Sequence, residues 1–308
     1  MKNLFFLFIP LIFISCNKDS QTYEAYGETT IDSTKINRKV LIVGIDGFRS
    51  DALLPEVTPF LYSILSENNV YYTSSHIVEH YTLSGPNWSS ILTGVHYNKH
   101  NVVDNSFDNP NYLEFPTFFR YIEDAYESIN TASIVNWSPI NKYIVSSSVD
   151  YSNSEINDSL VFLAVKKLLV ESAPIPPDVL FLQFDELDGV GHSYGFSASV
   201  QEYTNQLSIL DSYVQSLFDL IEQKRQQGED WMILIVSDHG GDGTGHIDSD
   251  NPHINKTILL SEHPSLSYKQ GYISSQADLS VTILSFLGIF NTEFDSRTDG
   301  NLIFFSDD

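Results

Sequence analysis

The chain has 308 residues, of which 42% are hydrophobic and 13% aromatic. A chain of this length and apolar content is able to bury the core of one large domain. Its 16 basic and 40 acidic residues give a net charge of -24. Such a surface repels long polyanions, so the composition excludes a binder of nucleic-acid polymers. A small phosphate compound stays compatible with this charge, because bound divalent cations reverse the sign of a local site.

Residues 1–16 have the pattern of a lipoprotein export signal. Lys2 precedes the apolar run LFFLFIPLIFI at 4–14, which is shorter than the roughly 20 residues that span a bilayer. Cys16, the only cysteine, follows directly after Ser15, and this arrangement resembles a lipobox with Phe13 where leucine is usual. The pattern predicts an exported protein, anchored by lipid at Cys16 on the periplasmic or surface face of a bacterial envelope. An ordinary signal peptide with an incidental cysteine is the alternative.

The remainder divides into a tether and one domain. Residues 17–38 are polar and aperiodic, which is typical of a flexible tether. Residues 39–308 are predicted to form a single domain. Four short runs in it are apolar throughout, as strands buried on both faces are. These runs are KVLIVGI (39–45), ASIVNW (132–137), DVLFLQF (178–184) and WMILIVS (231–237).

Helical patterns lie between the predicted strands. The candidate helices are at 58–68, 86–94, 116–128, 154–172, 199–227 and 276–288. Because strands and helices alternate, we predict an α/β fold with a mostly parallel central sheet and helices on both faces.

Acidic residues follow three of the predicted strands. The first strand runs into Asp46, the third into Asp185 and Asp188, and the last into Asp238 and His239. One aspartate after a strand is commonly a helix cap or a turn former. In open α/β sheets, however, ligands bind outside the carboxyl ends of the strands. Three acidic strand ends with histidines nearby therefore predict a site at this edge.

Further histidines complete a possible ligand set for metal ions. Asp188 and His192 are four residues apart in DGVGHSYG, so both side chains are able to reach one cation. The last strand end is followed by His246 after a glycine-rich turn, and His253 is the alternative for this ligand position. Histidine combined with carboxylate suits zinc, whereas calcium prefers oxygen ligands alone.

A serine precedes a predicted helix start in the segment 81–105. Ser84 is followed by Gly85 and Pro86, and proline is favoured in a first helical turn. Backbone N–H groups at a helix start favour negative charge there. In its local sequence Ser84 is an N-cap residue, and only the surrounding aspartates and histidines give it a catalytic interpretation.

Taken in order, these motifs resemble those of the alkaline phosphatase superfamily. The closest pattern is that of its type I phosphodiesterases and nucleotide pyrophosphatases. The motifs are IDGFRSD, S-x-P-N followed by LTG, DxxGH, SDHG and the closing DGNLI, and they span nearly the whole predicted domain. The resemblance implies an alkaline-phosphatase-like fold and two divalent metal ions, which we expect to be zinc. It places Asp46, Ser84, Asp238 and His239 around one ion, and Asp188, His192 and His246 around the other.

The resemblance also implies two catalytic residues. Ser84 takes the position of the nucleophile, which is usually threonine in this family, and would form a phosphoseryl intermediate. Asn105 matches the asparagine that contacts a phosphate oxygen, whereas Leu83 and Trp88 replace a lysine and a histidine. Metal coordination lowers the pKa of a hydroxyl group strongly, so this nucleophile needs no Ser-His-Asp triad.

The expected substrate is a small phosphate ester, and we predict a diester. A phosphomonoesterase on the same scaffold would need more positive charge, for which Arg49, Lys99, Arg120 and Lys142 are candidates. A sulfatase would have an arginine in place of the tryptophan after S-x-P-N and adjacent aspartates after the first strand. A surface binding protein without catalysis would lack ligands, and none is missing.

Overall fold

The computed structural model describes residues 26–126, 128–170 and 176–306. The predicted signal peptide, with Cys16, and the first part of the predicted tether lie outside these residues. The described strands are β1 (Thr29–Ile31), β2 (Arg38–Ile45), β3 (Val70–Ile77), β4 (Thr131–Val135), β5 (Tyr151–Ser154), β6 (Val179–Phe184), β7 (Asp230–Val236), β8 (Lys256–Glu262) and β9 (Ile289–Asn291).

Helices connect most of these strands. They are α1 (Pro59–Ile64), α2 (Ser84–Thr93), α3 (Tyr97–His100), α4 (Phe118–Ala125), α5 (Asp158–Val170), α6 (Glu186–Tyr194), α7 (Gln201–Gln226), α8 (Pro252–Asn255), α9 (Asp278–Leu287) and α10 (Thr292–Arg297). Short 3-10 helices lie at Ser33–Lys35 and Ser50–Ala52, and a π-helical turn at Ile140–Val145. Among the described helices, none is both long enough and apolar enough to cross a bilayer.

Seven strands form the central sheet, in the order β3-β8-β7-β2-β6-β4-β5. The five strands from β7 to β5 run parallel, whereas β8 pairs antiparallel with β7 and with β3. The predicted mostly parallel sheet is therefore confirmed, and the four predicted strands are β2, β4, β6 and β7. The pattern missed β8 and the two edge strands, β3 and β5, whose partly exposed polar residues interrupt an apolar run.

Alternate residues of the central strands pack against helices on opposite faces of the sheet. Val40 and Ile42 of β2 belong to the core that α2, α4 and α9 cover. Leu41 and Val43 belong to the core beneath α1, α5 and α7. Full burial of one such side chain stabilises the fold by about 1.5–3 kcal/mol. Helices on both faces are thus confirmed, and the two cores hold the strand ends in place.

Four described helices lie outside the six predicted ones: the short helices α3, α8 and α10, and α6, which carries Asp188 and His192. Gly189 and Gly191 interrupt the sequence pattern of α6, yet this helix forms because Asp158 accepts the N–H groups of Asp185 and Glu186 at 2.8 and 3.1 Å. Gly191 serves close packing, since a Cβ atom there would lie 2.2 Å from the ring of Phe196. The six predicted helices correspond to α1, α2, α4, α5, α7 and α9, with ends that differ by a few residues.

The described part of the predicted tether packs on the domain. Strand β1 pairs antiparallel with β9, and β2 begins at Arg38, which is inside the range 17–38. The guanidinium group of Arg38 donates to the carbonyl oxygen of Phe286 at 3.0 Å. The tether prediction is wrong for these residues, because a short exposed strand with polar side chains has no apolar pattern of its own.

Candidate metal centre

The acidic residues that follow β2, β6 and β7 meet at one edge of the sheet, because β2 lies between the other two strands. Asp46, Asp188 and Asp238 each have one carboxylate oxygen that is buried and has no hydrogen-bond donor among the described residues. These atoms are Asp46 Oδ1, Asp188 Oδ1 and Asp238 Oδ2. Buried anionic oxygens without a partner are costly, and a bound cation would supply the partner.

Gly47 allows these carboxylates to approach one another closely. Its φ is +72°, in the left-handed region that favours glycine, and its N–H donates to Asp238 Oδ1 at 3.3 Å. A Cβ atom at this position would lie 3.1 Å from Asp188. The turn after β2 therefore brings Asp46 between the other two acidic residues.

The orientation of His239 also indicates a cation. Its Nδ1 donates to the carbonyl oxygen of Gly240 at 2.8 Å. In the neutral ring Nε2 is therefore unprotonated and has a free lone pair. This Nε2 lies 3.2 Å from Asp238 Oδ2 and 3.4 Å from Asp46 Oδ1. A lone pair close to two anionic oxygens is repelled, and a cation between the three atoms converts this repulsion into attraction.

His246 and His192 are oriented in the same way. Nδ1 of His246 donates to the carbonyl oxygen of Thr82 at 2.8 Å, and Nδ1 of His192 to that of Thr244 at 2.9 Å. Their Nε2 atoms are 3.1 Å apart, and both lie near the carboxylate of Asp188, at 3.3 and 3.8 Å. Backbone carbonyls that fix the ring of a ligating histidine are typical of metal sites.

The pKa values agree with this ligand set. Burial lowers the pKa of both His239 and His246 to about 4, so that each is neutral and able to bind metal at neutral pH. A hydrogen bond with Asp188 raises the pKa of the more exposed His192 to about 9. Metal binding would displace the proton of His192. Burial, and after it the neighbouring carboxylates, raises the pKa of Asp46 and Asp238 well above the usual value.

The ligand atoms fall into two adjoining groups. One atom each of Asp188, His192 and His246 lie within 4.8 Å of one another, and so do one atom each of Asp46, Asp188 and His239. The rings of His239 and His246 stack with centroids 3.8 Å apart, which places the two groups side by side. Asp188 belongs to both groups, and Asp238 Oδ2 adjoins the second one, 3.2 Å from His239 Nε2. The acidic residues and histidines that the resemblance assigns to two metal ions are therefore brought together, and each group has donor atoms for a cation.

Ser84 lies at this centre and is the first residue of α2, whose N-cap is Leu83. The local reading of Ser84 as an N-cap residue is therefore wrong. Its side chain is 7% exposed, and its Oγ lies 3.3 Å from His239 Nε2. The hydroxyl group thus faces the ligand group that contains Asp46, where a bound cation would be able to contact it.

Asn105 lies next to the first turn of α2. Its Oδ1 accepts the N–H of Gly85 at 2.7 Å, and no described residue accepts a hydrogen bond from its Nδ2. A Cβ atom at Gly85 would lie 2.7 Å from the carbonyl oxygen of Asp104, so this close approach requires glycine. The amide is consequently fixed with its donor group available to a ligand beside Ser84.

Two functional side chains were missed by the sequence analysis. Trp88 Nε1 and Gln183 Nε2 both donate to Asp46 Oδ2, at 3.0 and 3.2 Å. They hold one oxygen of Asp46, so that the other faces the cation. Gln183 is the one polar residue of β6, and this interruption of a buried apolar strand was the available signal. Trp88 departs from the family pattern, and its local sequence gives no sign of a bond to Asp46.

His253, the alternative to His246, lies outside both ligand groups. Its Nδ1 contacts Arg49 Nη2 at 3.0 Å. Arg49 Nη1 also donates to the carbonyl oxygens of Phe196 and Gly241, at 2.6 and 3.2 Å. These contacts join the chain after α6 to the loop after β7, so Arg49 and His253 support the ligand-bearing segments from outside.

The sequence matches the family described as type I phosphodiesterase / nucleotide pyrophosphatase over residues 40–272. The chain belongs to this family. Human bis(5'-adenosyl)-triphosphatase ENPP4 is 26% identical over 233 residues, which are 68% of this chain and 48% of that protein. Ectonucleotide pyrophosphatase/phosphodiesterase 2 of Saccharomyces cerevisiae is 23% identical over 234 residues, 65% of this chain and 47% of the yeast protein. The chain spans about half the length of these relatives.

Solved structures have the same fold. An inactive variant of murine ectonucleotide pyrophosphatase / phosphodiesterase 5, in complex with AMP, superposes with a TM-score of 0.63 at 14% identity over 82% of this chain and 96% of that one. The C-terminal periplasmic domain of EcEptC from Escherichia coli has a TM-score of 0.65 at 16% identity and covers 91% of both chains. The predicted alkaline-phosphatase-like fold of this phosphodiesterase family member is thus confirmed.

Proposed function

We propose that the protein is a two-metal phosphoesterase that hydrolyses small phosphodiesters through a phosphoseryl intermediate. The observation that carries this proposal is the convergence of three unpartnered buried carboxylate oxygens with three imidazole Nε2 atoms beside the hydroxyl group of Ser84. Family membership supports it, because the relatives are named as a triphosphatase and a pyrophosphatase/phosphodiesterase. Both names describe cleavage of phosphoric esters or anhydrides.

Zinc is the metal that we propose. Imidazole nitrogen with carboxylate oxygen is a ligand set that suits zinc. The same EcEptC domain in complex with Zn, a fold relative at 16% identity, is consistent with this choice. When bound, such ions lower the pKa of a coordinated hydroxyl group or water and neutralise phosphate oxygens. Asp46, Ser84, Asp238 and His239 would hold one ion, and Asp188, His192 and His246 the other.

The protein residues divide the reaction between them. Ser84 would attack phosphorus, so that a bond between Oγ and phosphorus forms while the bond to the leaving alcohol breaks. The amide Nδ2 of Asn105, which has no acceptor among the described residues, would bind an equatorial phosphate oxygen as its charge develops. Solvent takes up the proton that Ser84 loses and supplies one to the leaving alcohol, and water then cleaves the phosphoserine and restores the Ser84 hydroxyl group.

The charges near the site favour a diester over a monoester. A monoester has an additional negative charge, which a dedicated cation commonly binds. The four basic candidates already contact other groups: Arg49 bonds Asp51, Lys99 bonds Asp299, Arg120 bonds Asp124, and Lys142 lies over the ring of Tyr143. A phosphomonoesterase on this scaffold is the second candidate, because it would use the same metal ligands.

Two measurements test the function. Elemental analysis of gently purified protein should find about two zinc ions per chain, and metal content near zero would contradict the two-metal proposal. Bis(4-nitrophenyl) phosphate should be hydrolysed faster than 4-nitrophenyl phosphate, and the reverse order would favour the monoesterase. Ser84→Ala should abolish turnover of both substrates without loss of fold, whereas Ser212→Ala, at an exposed position of α7, should change neither.

We also propose that the protein is exported and lipid-anchored through Cys16. The periplasmic EcEptC domain and the ectonucleotide enzymes among the relatives support export. Metabolic labelling of the full chain with an alkyne fatty acid should mark the wild-type protein and not the Cys16→Ala variant. Equal labelling of both would contradict the anchor.

A further inference from the structure

Three aromatic side chains form a partly exposed cluster next to the metal centre: His80, Tyr81 and Tyr97. The ring of Tyr81 is perpendicular to that of Tyr97, with centroids 4.9 Å apart. The ring of His80 lies 5.3 Å from Tyr81 and 6.4 Å from Tyr97. Tyr81 is 39% exposed, and no described residue forms a hydrogen bond with either tyrosine hydroxyl group. The cluster therefore offers aromatic rings to a ligand.

Hydrogen bonds join this cluster to the catalytic residues. The carbonyl oxygen of Thr82 accepts from His246 Nδ1 at 2.8 Å, and the hydroxyl group of Thr82 donates to the carbonyl oxygen of His246. Asn87 Nδ2 donates to the carbonyl oxygen of Tyr81 at 3.1 Å. Tyr81 is three residues before Ser84, so these bonds hold its backbone in a defined place relative to Ser84 and His246.

The charged groups beside the cluster are paired within the protein. Glu79, which is buried, contacts His96 Nδ1 at 2.7 Å. Lys99, on the same helix as Tyr97, donates to Asp299 at 2.6 Å. Neither pair leaves a charge that a second phosphate group would require. The chemistry of the cluster therefore fits a planar, uncharged ring, which packs favourably against the face or edge of tyrosine.

We propose that this aromatic cluster binds the leaving alcohol of the phosphodiester and favours an aromatic one. The inference rests on the proposed function and specifies its substrate class. In an in-line displacement the leaving oxygen departs on the side opposite the attacking Ser84. Ser84 contacts His239, in one ligand group, whereas His246 belongs to the adjoining group, and the cluster is bonded to His246 through Thr82. The phosphorus–oxygen bond to the aromatic alcohol breaks as the bond to Ser84 forms, and the alkoxide takes a proton from water.

Two diesters that differ in the leaving group test this proposal. Methyl 4-nitrophenyl phosphate has its only ring in the leaving group, and methyl 2,2,2-trifluoroethyl phosphate has no ring. Tyr81→Ala should raise KM for the first about 2- to 12-fold, which corresponds to the energy of one aromatic pair, with little change in kcat. KM for the second should stay the same. The ratio of variant to wild type is taken on each substrate, so the different basicity of the two alcohols cancels.

Matched variants separate ring binding from support of the loop. Tyr81→Phe should retain the wild-type KM, because the hydroxyl group has no partner among the described residues. Tyr62→Ala removes a comparably exposed tyrosine, at 46%, from α1 on the other face of the sheet and should change neither substrate. An equal effect of Tyr81→Ala on both diesters would overturn the proposal, since the ring would then only stabilise the segment before Ser84.

A binding measurement on protein without the nucleophile tests the aromatic site independently of the proposed hydrolysis. Zinc-loaded Ser84→Ala protein should bind methyl phenylphosphonate in a calorimetric titration. The double variant Ser84→Ala/Tyr81→Ala should bind it about 2- to 12-fold more weakly. Methyl ethylphosphonate should bind equally to both proteins. Ring-dependent binding without turnover by the wild type would refute the reaction and uphold the aromatic site. Binding that is insensitive to Tyr81 would refute the aromatic site whatever the turnover.

Discussion

Asp46→Asn should have opposite effects on the metal-free and the metal-loaded protein. Asp46 is fully buried, its Oδ2 accepts from Trp88 and Gln183, and its Oδ1 has no donor among the described residues. Asparagine has nearly the same shape, keeps one oxygen for both donors and removes the charge. Without metal the substitution therefore removes a buried acidic group of which one oxygen, Oδ1, has no donor among the described residues. With metal it removes a ligand.

The sign of the pH dependence follows from the pKa. Burial, and after it Asp238 and Asp188, raises the pKa of Asp46 in the folded state. Below about pH 4 the group is protonated in both states, so it contributes no difference. As pH rises above that value, the unfolded chain releases the proton more readily and the folded state becomes less stable. A buried unpaired group costs about 1–3 kcal/mol, and more when charged. Asp46→Asn should recover about this free energy of unfolding near neutral pH.

Urea unfolding of the full chain in EDTA, at about pH 4.5 and about pH 7.5, measures this effect. The variant should be more stable than wild type at the higher pH and nearly equal at the lower. Asp219→Asn makes the same charge change at an exposed position of α7 and should show no such difference. A variant that is less stable in EDTA at the higher pH would refute the reasoning. With free zinc at 100 times Kd, wild type should gain about 2.7 kcal/mol that the variant largely lacks.

Four further substitutions test the site and its surroundings. Trp88→Phe removes the N–H that donates to Asp46 and should weaken zinc binding about 10- to 100-fold in a chelator competition. Unchanged zinc affinity would show that this hydrogen bond does not orient Asp46. His246→Ala should lose about one zinc ion per chain by elemental analysis, whereas His253→Ala should keep both. Gly47→Ala should lower the free energy of unfolding by about 1–2 kcal/mol in urea, because its φ is +72°.

The sequence by itself determined the order of the motifs and the type of fold. The runs that became β2, β4, β6 and β7 are apolar throughout, and burial on both faces of a covered parallel sheet requires this composition. Because parallel strands end at the same edge, the residues that follow them were expected to meet. This expectation rests on covalent order and on the geometry of the sheet, which together place the metal centre at the carboxyl ends of β2, β6 and β7.

Only the tertiary structure decided which side chains meet there and what holds them. The sequence offers both His246 and His253 for one ligand position, yet one is oriented by the carbonyl oxygen of Thr82 and the other contacts Arg49. Trp88 is bonded to a carboxylate 42 residues away along the chain. Strand β1 exists through its pairing with β9. Hydrogen bonds between distant segments depend on the packed arrangement of the whole sheet, and no local pattern of residues contains that information.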